Sequence, residues 1–135
     1  MAIFADIHVG SIVLDLGCGT GLDSLIAARR VGPNGRVIGV DFADTMLTRA
    51  LQAAAEAGAH NVEFHQAGAE KLPIGEGKIN IALVNGIFNL NPKRAAIFLE
   101  LARVVRQDGA VYAAELILKE PLALEIQASE TDWFA

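Results

Sequence analysis

Apolar residues along the chain fall into two alternating patterns. Short runs of strand-forming residues bounded by turn signals are followed by longer stretches with apolar positions three and four apart. Ile12–Leu16 reads as a first strand. A helix from about Thr20 to Val31 follows, with Leu22, Leu25 and Ile26 on one face, and Gly32-Pro33-Asn34-Gly35 ends it. Val37–Asp41 is a second strand, and Asp44–Ala57 a helix stacking Leu47, Leu51, Ala54 and Ala55 before Gly58. Asn61–His65 alternates with period two and reads as a third strand. Asn80–Asn85, nearly all apolar, reads as a fourth strand buried on both faces. Asn91-Pro92 predicts an N-cap and first helical position, opening a helix to about Arg106 with Ile97, Leu101, Val104 and Val105 at helical spacing. Asp108-Gly109 ends it, and Ala110–Leu118 is a fifth strand. Strand and helix in alternation predict an α/β fold, a parallel sheet with right-handed crossovers.

Composition narrows the class. A chain of 135 residues suits a single domain over 1–135, and an apolar fraction of 53% fits parallel strands covered on both sides. Net charge is −5 without a basic run, which disfavours a nucleic-acid partner. No apolar run approaches the ~20 residues of a membrane span, and no signal peptide is visible. The single cysteine, Cys18, allows no internal disulfide, so a cytoplasmic setting is expected. No metal site is expected, since the histidines lack ligand spacing and there is no second thiol.

The chemistry concentrates at strand ends. Val13-Leu14-Asp15-Leu16-Gly17-Cys18-Gly19-Thr20-Gly21 joins the first strand to the first helix through three alternate glycines. A dinucleotide loop would follow G-x-G-x-x-G/A, but Leu22 stands at its third small position and the extra glycine is Gly21. Asp15 points away from a diphosphate and toward an ammonium or sulfonium group. A nicotinamide oxidoreductase is disfavoured on these grounds. Asp41 closes the second strand about 20 residues on, where an acid takes ribose hydroxyls. Ligands of such sheets bind outside the carboxyl ends of the strands, which here bring Gly17–Gly21, Asp41, Gly68–Glu70 and Asn85-Gly86 to one cleft.

The nine-residue loop resembles motif I of class I S-adenosylmethionine-dependent methyltransferases, and the likeness runs from about Gly10 to Ile117. It implies a Rossmann-like, doubly wound sheet of about five strands in the order 3-2-1-4-5. S-adenosylmethionine would be the cofactor and a small molecule the methyl acceptor. By the same likeness Asp15, Gly17, Cys18, Gly19, Thr20 and Gly21 form the cofactor loop, Asp41 binds ribose, and Phe42 or Met46 covers adenine. Gly68 stands where many members carry an aspartate, which leaves the adenine edge to backbone near Ala69 or to Glu70. Asn85 closes the fourth strand beside the cofactor. Residues 84–92 with Leu101–Val105 look most like arsenite methyltransferases and the quinone methyltransferases nearby. That subfamily has a cysteine at Gly86, so arsenite methylation is not expected of this chain.

Shortened ends and a missing closing antiparallel pair would leave the fifth strand an exposed edge, through which a homodimer could form. The rival reading is a truncated, non-catalytic S-adenosylmethionine-binding or self-associating module. No residue earns a catalytic role: His8, His60 and His65 are the candidate bases, Glu115 is a base or a supporting polar group, and Trp133 and Phe134 form an apolar clasp or a remnant of a further helix. Lys93 with Arg94 looks like a solvated helix face.

Overall fold

The computed structural model describes residues 2, 3, 5–88 and 91–114. Its elements alternate as β1 (Ile12–Leu16), α1 (Leu22–Val31), β2 (Arg36–Asp41), α2 (Asp44–Ala57), β3 (Val62–Gln66), β4 (Ile79–Asn85), α3 (Arg94–Val104) and β5 (Val105–Ala114). The five strands form one sheet in the order β3-β2-β1-β4-β5, with every neighbouring pair parallel. This is the expected doubly wound architecture. The chain order reverses direction between β1 and β4, so a crevice opens at their carboxyl ends.

Strand periodicity divides the core in two. Leu14, Leu16, Ile38, Val40, Ala82 and Val84 share one face with Ile97, Leu101 and Val104 of α3 and with Leu72 and Ile74 of the β3–β4 connection. Val13, Val37, Ile81 and Leu83 share the other with Ala27, Ala28 and Val31 of α1. The α1 expectation is corrected here. Its buried positions are Ser24, Ala27, Ala28 and Val31, whereas Leu22 is 71% exposed. Small residues let α1 lie close to the sheet. On α2, likewise, Leu47, Ala50 and Ala54 are buried and Leu51 is exposed.

Two boundaries also differ. The α3 helix begins at Arg94, not at Pro92: the Asn91 side chain accepts from the Lys93 N–H at 2.8 Å and forms a turn ahead of the helix. It ends at Val104, and β5 starts at once, with Val105 opposite Ile79 and Ala110 opposite Ile81. Residues 106–109 therefore bulge out of the ladder opposite Asn80. At Gly109 a Cβ would come within 2.7 Å of the Asn80 carbonyl oxygen, which is why glycine stands there. The expected end of the fifth strand, Glu115, Trp133, Phe134 and the closing strand pair lie outside the described residues. No helix among the described residues is long and apolar enough to cross a membrane.

Candidate functional site

At the carboxyl ends of β1, β2 and β4 lies a cleft of about 750 Å³, lined by Leu16 and Gly17, Val40 to Phe42, Ala67 to Glu70, Gly86 and Ile87, and Asn91 to Lys93. Leu16 and Gly17 bound it where the β1–α1 turn begins. Gly17, Gly19 and Gly21 all hold positive φ, at 74°, 55° and 91°. A side chain is strained at each by the left-handed backbone. At Gly17 a Cβ would also come within 3.0 Å of Ile87 Cδ1 and 3.3 Å of the Asn85 carbonyl. The turn stays tied to β2, because the Gly17 and Cys18 N–H groups both donate to the Val40 carbonyl, at 2.8 and 3.1 Å.

Asp41 links the two strand ends. Its Oδ2 accepts from the Gly19 N–H at 2.9 Å and its Oδ1 from the Ala43 N–H at 3.0 Å. A carboxylate oxygen has room for more than one donor, so each can take a further hydrogen bond from the cleft. Phe42, next to it, is 78% exposed and lines the cleft. Met46, one turn into α2, is 38% exposed and is not among the lining residues.

Ala69 and Glu70 form the facing wall. A Cβ at position 68 would lie 2.7 Å from both Glu70 carboxylate oxygens, so Gly68 vacates the space into which Glu70 folds. Glu70 also pairs with Lys93 Nζ at 3.3 Å, joining the β3–β4 and β4–α3 connections at the cleft. Hydrogen bonding from its own backbone N–H and from Lys93 holds the Glu70 carboxyl below its usual pKa. Lys93 was expected on a solvated helix face, and the structure corrects this. It precedes α3 and belongs to the cleft.

Asp15 and Cys18 lie behind the turn, not in the cleft. Asp15 is fully buried and faces α1, since strand alternation puts it on the side of Val13. Its Oδ2 accepts from the Ser24 hydroxyl at 2.6 Å, while Oδ1 has no hydrogen-bond partner. Burial pushes the Asp15 carboxyl up to about 6, and the charges of Asp23 and Asp41 add to this against the pull of Ser24. Burial likewise pushes the Cys18 thiol up to about 12, with Asp15 and Asp41 contributing. That thiol is a packed side chain, not a nucleophile or a soft-metal ligand. Thr20 is exposed on the turn.

Asn85 is half-buried, and its amide donates to Asp23 Oδ2 at 3.1 Å; Asp23 Oδ1 accepts from the Ala2 N–H at 2.9 Å. Burial opposes the Asp23 charge, but the hydrogen bonds outweigh it and its pKa lies below the ordinary value. None of the candidate histidines lines the cleft. His8 sits 3.4 Å from Asp6 on the surface, His65 sits 3.7 Å from Glu63 of the same strand, and His60 is exposed before β3. Among the described residues no cluster suited to a metal ion occurs.

Comparison with known proteins agrees with this geometry. Residues 7–134 match the family described as methyltransferase domain. An arsenite methyltransferase of Halobacterium salinarum is 36% identical over 124 residues, which are 92% of this chain and 32% of that protein. A demethylmenaquinone methyltransferase of Lactococcus lactis is 34% identical over 106 residues, 78% of this chain and 42% of that protein. The chain thus spans less than half the length of these relatives. Among solved structures, an arsenic(III) S-adenosylmethionine methyltransferase from Chlamydomonas reinhardtii superposes with a TM-score of 0.78 at 29% identity, covering 94% of this chain and 45% of that one. A SAM-dependent methyltransferase from Aquifex aeolicus shares the fold at a TM-score of 0.77, with 21% identity over 88% of this chain and 65% of that one. With the strand order, the three-glycine turn and the acid at the end of β2 all in place, the chain belongs to the family of S-adenosylmethionine-dependent methyltransferase domains.

Proposed function

We propose that the chain binds S-adenosylmethionine in the cleft above β1, β2 and β4 and directs methyl transfer to a small-molecule acceptor. The observation that carries this reading is Asp41, fixed at the cleft by the Gly19 and Ala43 N–H groups with acceptor capacity to spare. The residues fit the group. Bare backbone at Gly17 and Gly19 lets a ligand lie against the turn, while Gly21 lets the turn pack on Ala50 and Phe64, and the cleft volume suits a nucleoside-sized molecule. Asp41 would hold the ribose hydroxyls and Phe42 an adenine face, while Met46, the alternative for that role, does not line the cleft. Ala69 and Glu70 would meet the base edge. The Gly17–Gly21 turn, including the Cys18 and Thr20 backbone, would cradle the amino-acid end with Asn85 beside it. Asp15 would act from behind as a buried negative charge.

When bound, the cofactor supplies an electrophilic methyl group on a sulfonium. The chain's part is then to orient and to exclude water, which can supply much of the rate of such a transfer. The titratable side chains lining the cleft are Asp41, Glu70 and Lys93, the last two paired with each other. Orientation is accordingly the main contribution of the described residues. A small-molecule acceptor is supported by the relatives named for arsenite and demethylmenaquinone. With Gly86 at the cleft and Cys18 buried, an electron-rich organic acceptor fits this chain better than a thiolate-held metalloid.

Titration calorimetry with S-adenosylhomocysteine tests the reading. Binding that Asp41→Ala abolishes supports it, while a folded wild type that shows no heat of binding refutes it. Turnover with a panel of quinol, phenol, amine and arsenite acceptors then separates an enzyme from a binding module.

A further inference from the structure

A connection without regular structure, residues 67–78 between β3 and β4, supplies one wall of the cleft. Backbone polar groups in such a segment need partners outside a ladder, and where those partners sit decides the shape of the wall. At its start the Ala67 N–H donates to the Asp41 carbonyl at 3.1 Å. One internal turn follows, from the Lys71 N–H to the Gly68 carbonyl at 3.2 Å. The next partners come from α3. Glu100 Oε2 accepts from the Leu72 N–H at 2.6 Å. The Arg103 guanidinium donates to the Ile74 carbonyl at 2.8 Å and the Leu72 carbonyl at 3.2 Å. The two side chains are joined by a forked pair, Nε to Oε1 at 2.7 Å and Nη2 to Oε2 at 2.9 Å. The Arg103 carbonyl also accepts from the Gly77 N–H at 2.8 Å.

The span 68–71 is therefore strung between two anchors, the end of β2 and the Glu100–Arg103 fork. Neither Glu100 nor Arg103 lines the cleft. Within the span Gly68 has no side chain to anchor it, and Glu70 is held by Lys93, a neighbour on another loop. Leu72 and Ile74 lie in the core beside α3, so the second anchor is rigid. Its polar half is unusually well matched: the Arg103 hydrogen bond, then that from Leu72, hold the Glu100 carboxyl down to about 2. The planar guanidinium presents five donors in a fixed fork, which lets Arg103 serve two carbonyls and both carboxylate oxygens at once.

We propose that Glu100 and Arg103 are positioning residues for the cleft: by fixing Leu72–Ile74 they place Ala69 and Glu70 and so set the preference for adenine over other bases. This rests on the reading of the cleft as the S-adenosylmethionine site. The pair acts through the wall and touches no ligand.

The test compares two ligands on three proteins, wild type, Arg103→Gln and Glu100→Gln. S-adenosylhomocysteine and S-inosylhomocysteine differ at the base edge, with an amino group in one and an oxo group in the other. Calorimetry on the wild type is expected to favour the adenine ligand. In Arg103→Gln, affinity for S-adenosylhomocysteine should fall about tenfold, the worth of one base-edge hydrogen bond, while that for S-inosylhomocysteine hardly changes. Glu100→Gln should show the same narrowing. Partial unfolding lowers both affinities by one factor and leaves their ratio untouched, so the ratio separates positioning from stability. A ratio unchanged in both variants overturns this proposal and leaves the cofactor reading standing. A wild type without preference between the ligands also overturns it. A wild type that binds neither refutes the cofactor reading, and this proposal with it.

Discussion

Replacing Asp15 with asparagine should make the protein less sensitive to rising pH, and the size of the effect follows from the site. Asp15 is fully buried, has one hydrogen bond from Ser24, and leaves Oδ1 without a partner. Its carboxyl, raised from 3.8 to about 6, differs from its unfolded value by roughly two units, or about 3 kcal/mol. The folded state binds this proton more tightly than the unfolded state. Stability from this group is therefore fully present below about pH 4 and is lost as pH rises through about 6. Above that, the ionised carboxylate carries the whole cost. Asparagine cannot ionise, and its carbonyl can keep the Ser24 bond. Its amide, however, lands where Oδ1 lacks a partner, at a cost of about 1–3 kcal/mol. At pH 7.5 the variant should be equal to wild type or up to about 2 kcal/mol more stable, and at pH 4 about 1–3 kcal/mol less stable.

Urea unfolding of both proteins from pH 4 to 8 reads this directly, as the difference between the two curves. Glu100 and Asp23, whose carboxyls are held low, lose their contribution at more acid pH in both proteins and cancel in that difference. A difference that stays flat between pH 4 and 7 would refute the reasoning. It would mean that Asp15 is solvated or paired in the folded protein.

The partner of Asp15 gives the complementary result. Ser24→Ala removes its one hydrogen bond, so at pH 7.5 stability should fall by about 1.5–3 kcal/mol, and the loss should shrink toward pH 4 as Asp15 protonates. Equal losses at both pH values, by the same urea titration, would count against a charged acceptor. Cys18, buried with its thiol pushed up to about 12, should resist a thiol-specific disulfide reagent in the native state and react once urea unfolds the chain. Labelling of the folded protein at the rate of a free thiol would contradict that placement.

The sheet was readable because β1, β2 and β4 are compact apolar runs closed by glycine or an acid, and β3 alternates with period two. Local spacing likewise announced the turn at Gly17–Gly21 and the acid at Asp41. The α1 face was misread because the pattern weighs large apolar side chains, whereas close approach to the sheet selected Ser24, Ala27 and Ala28. For Asp15, proximity to the glycines suggested a cleft residue. Period two along β1, with Leu14 and Leu16 on the opposite face, already carried the signal that it points toward α1. The boundary between α3 and β5 failed for another reason. Asp108-Gly109 is a genuine turn signal, but it marks a bulge inside the pairing and not the end of the helix. Lys93, Glu100 and Arg103 were beyond reach. Each is a charged residue in or beside a helix, and only the fold reveals the further partners 23 to 31 positions away that tie it to the β3–β4 connection.

Several features that cost this fold stability lie at the carboxyl ends of the strands. A buried carboxylate with an unpartnered oxygen lies on β1, and three glycines of positive φ follow it. An irregular wall stands opposite, held from α3 by borrowed hydrogen bonds. At the amino ends, too, side chains supply distant partners: Asn80 Oδ1 accepts from the Ile12 N–H, and the Asn61 amide donates to the carbonyls of Ala28 and Gly32. A sequence under selection for stability alone has no reason to bury an ionisable carboxylate with an unpartnered oxygen at position 15. Local rules are broken where a ligand has to be met. The buried carboxylate behind the three-glycine turn supports the proposed site at the carboxyl ends of β1, β2 and β4. Variants selected for stability should then lose cofactor binding first when they alter residues 15, 17–21 or 67–74.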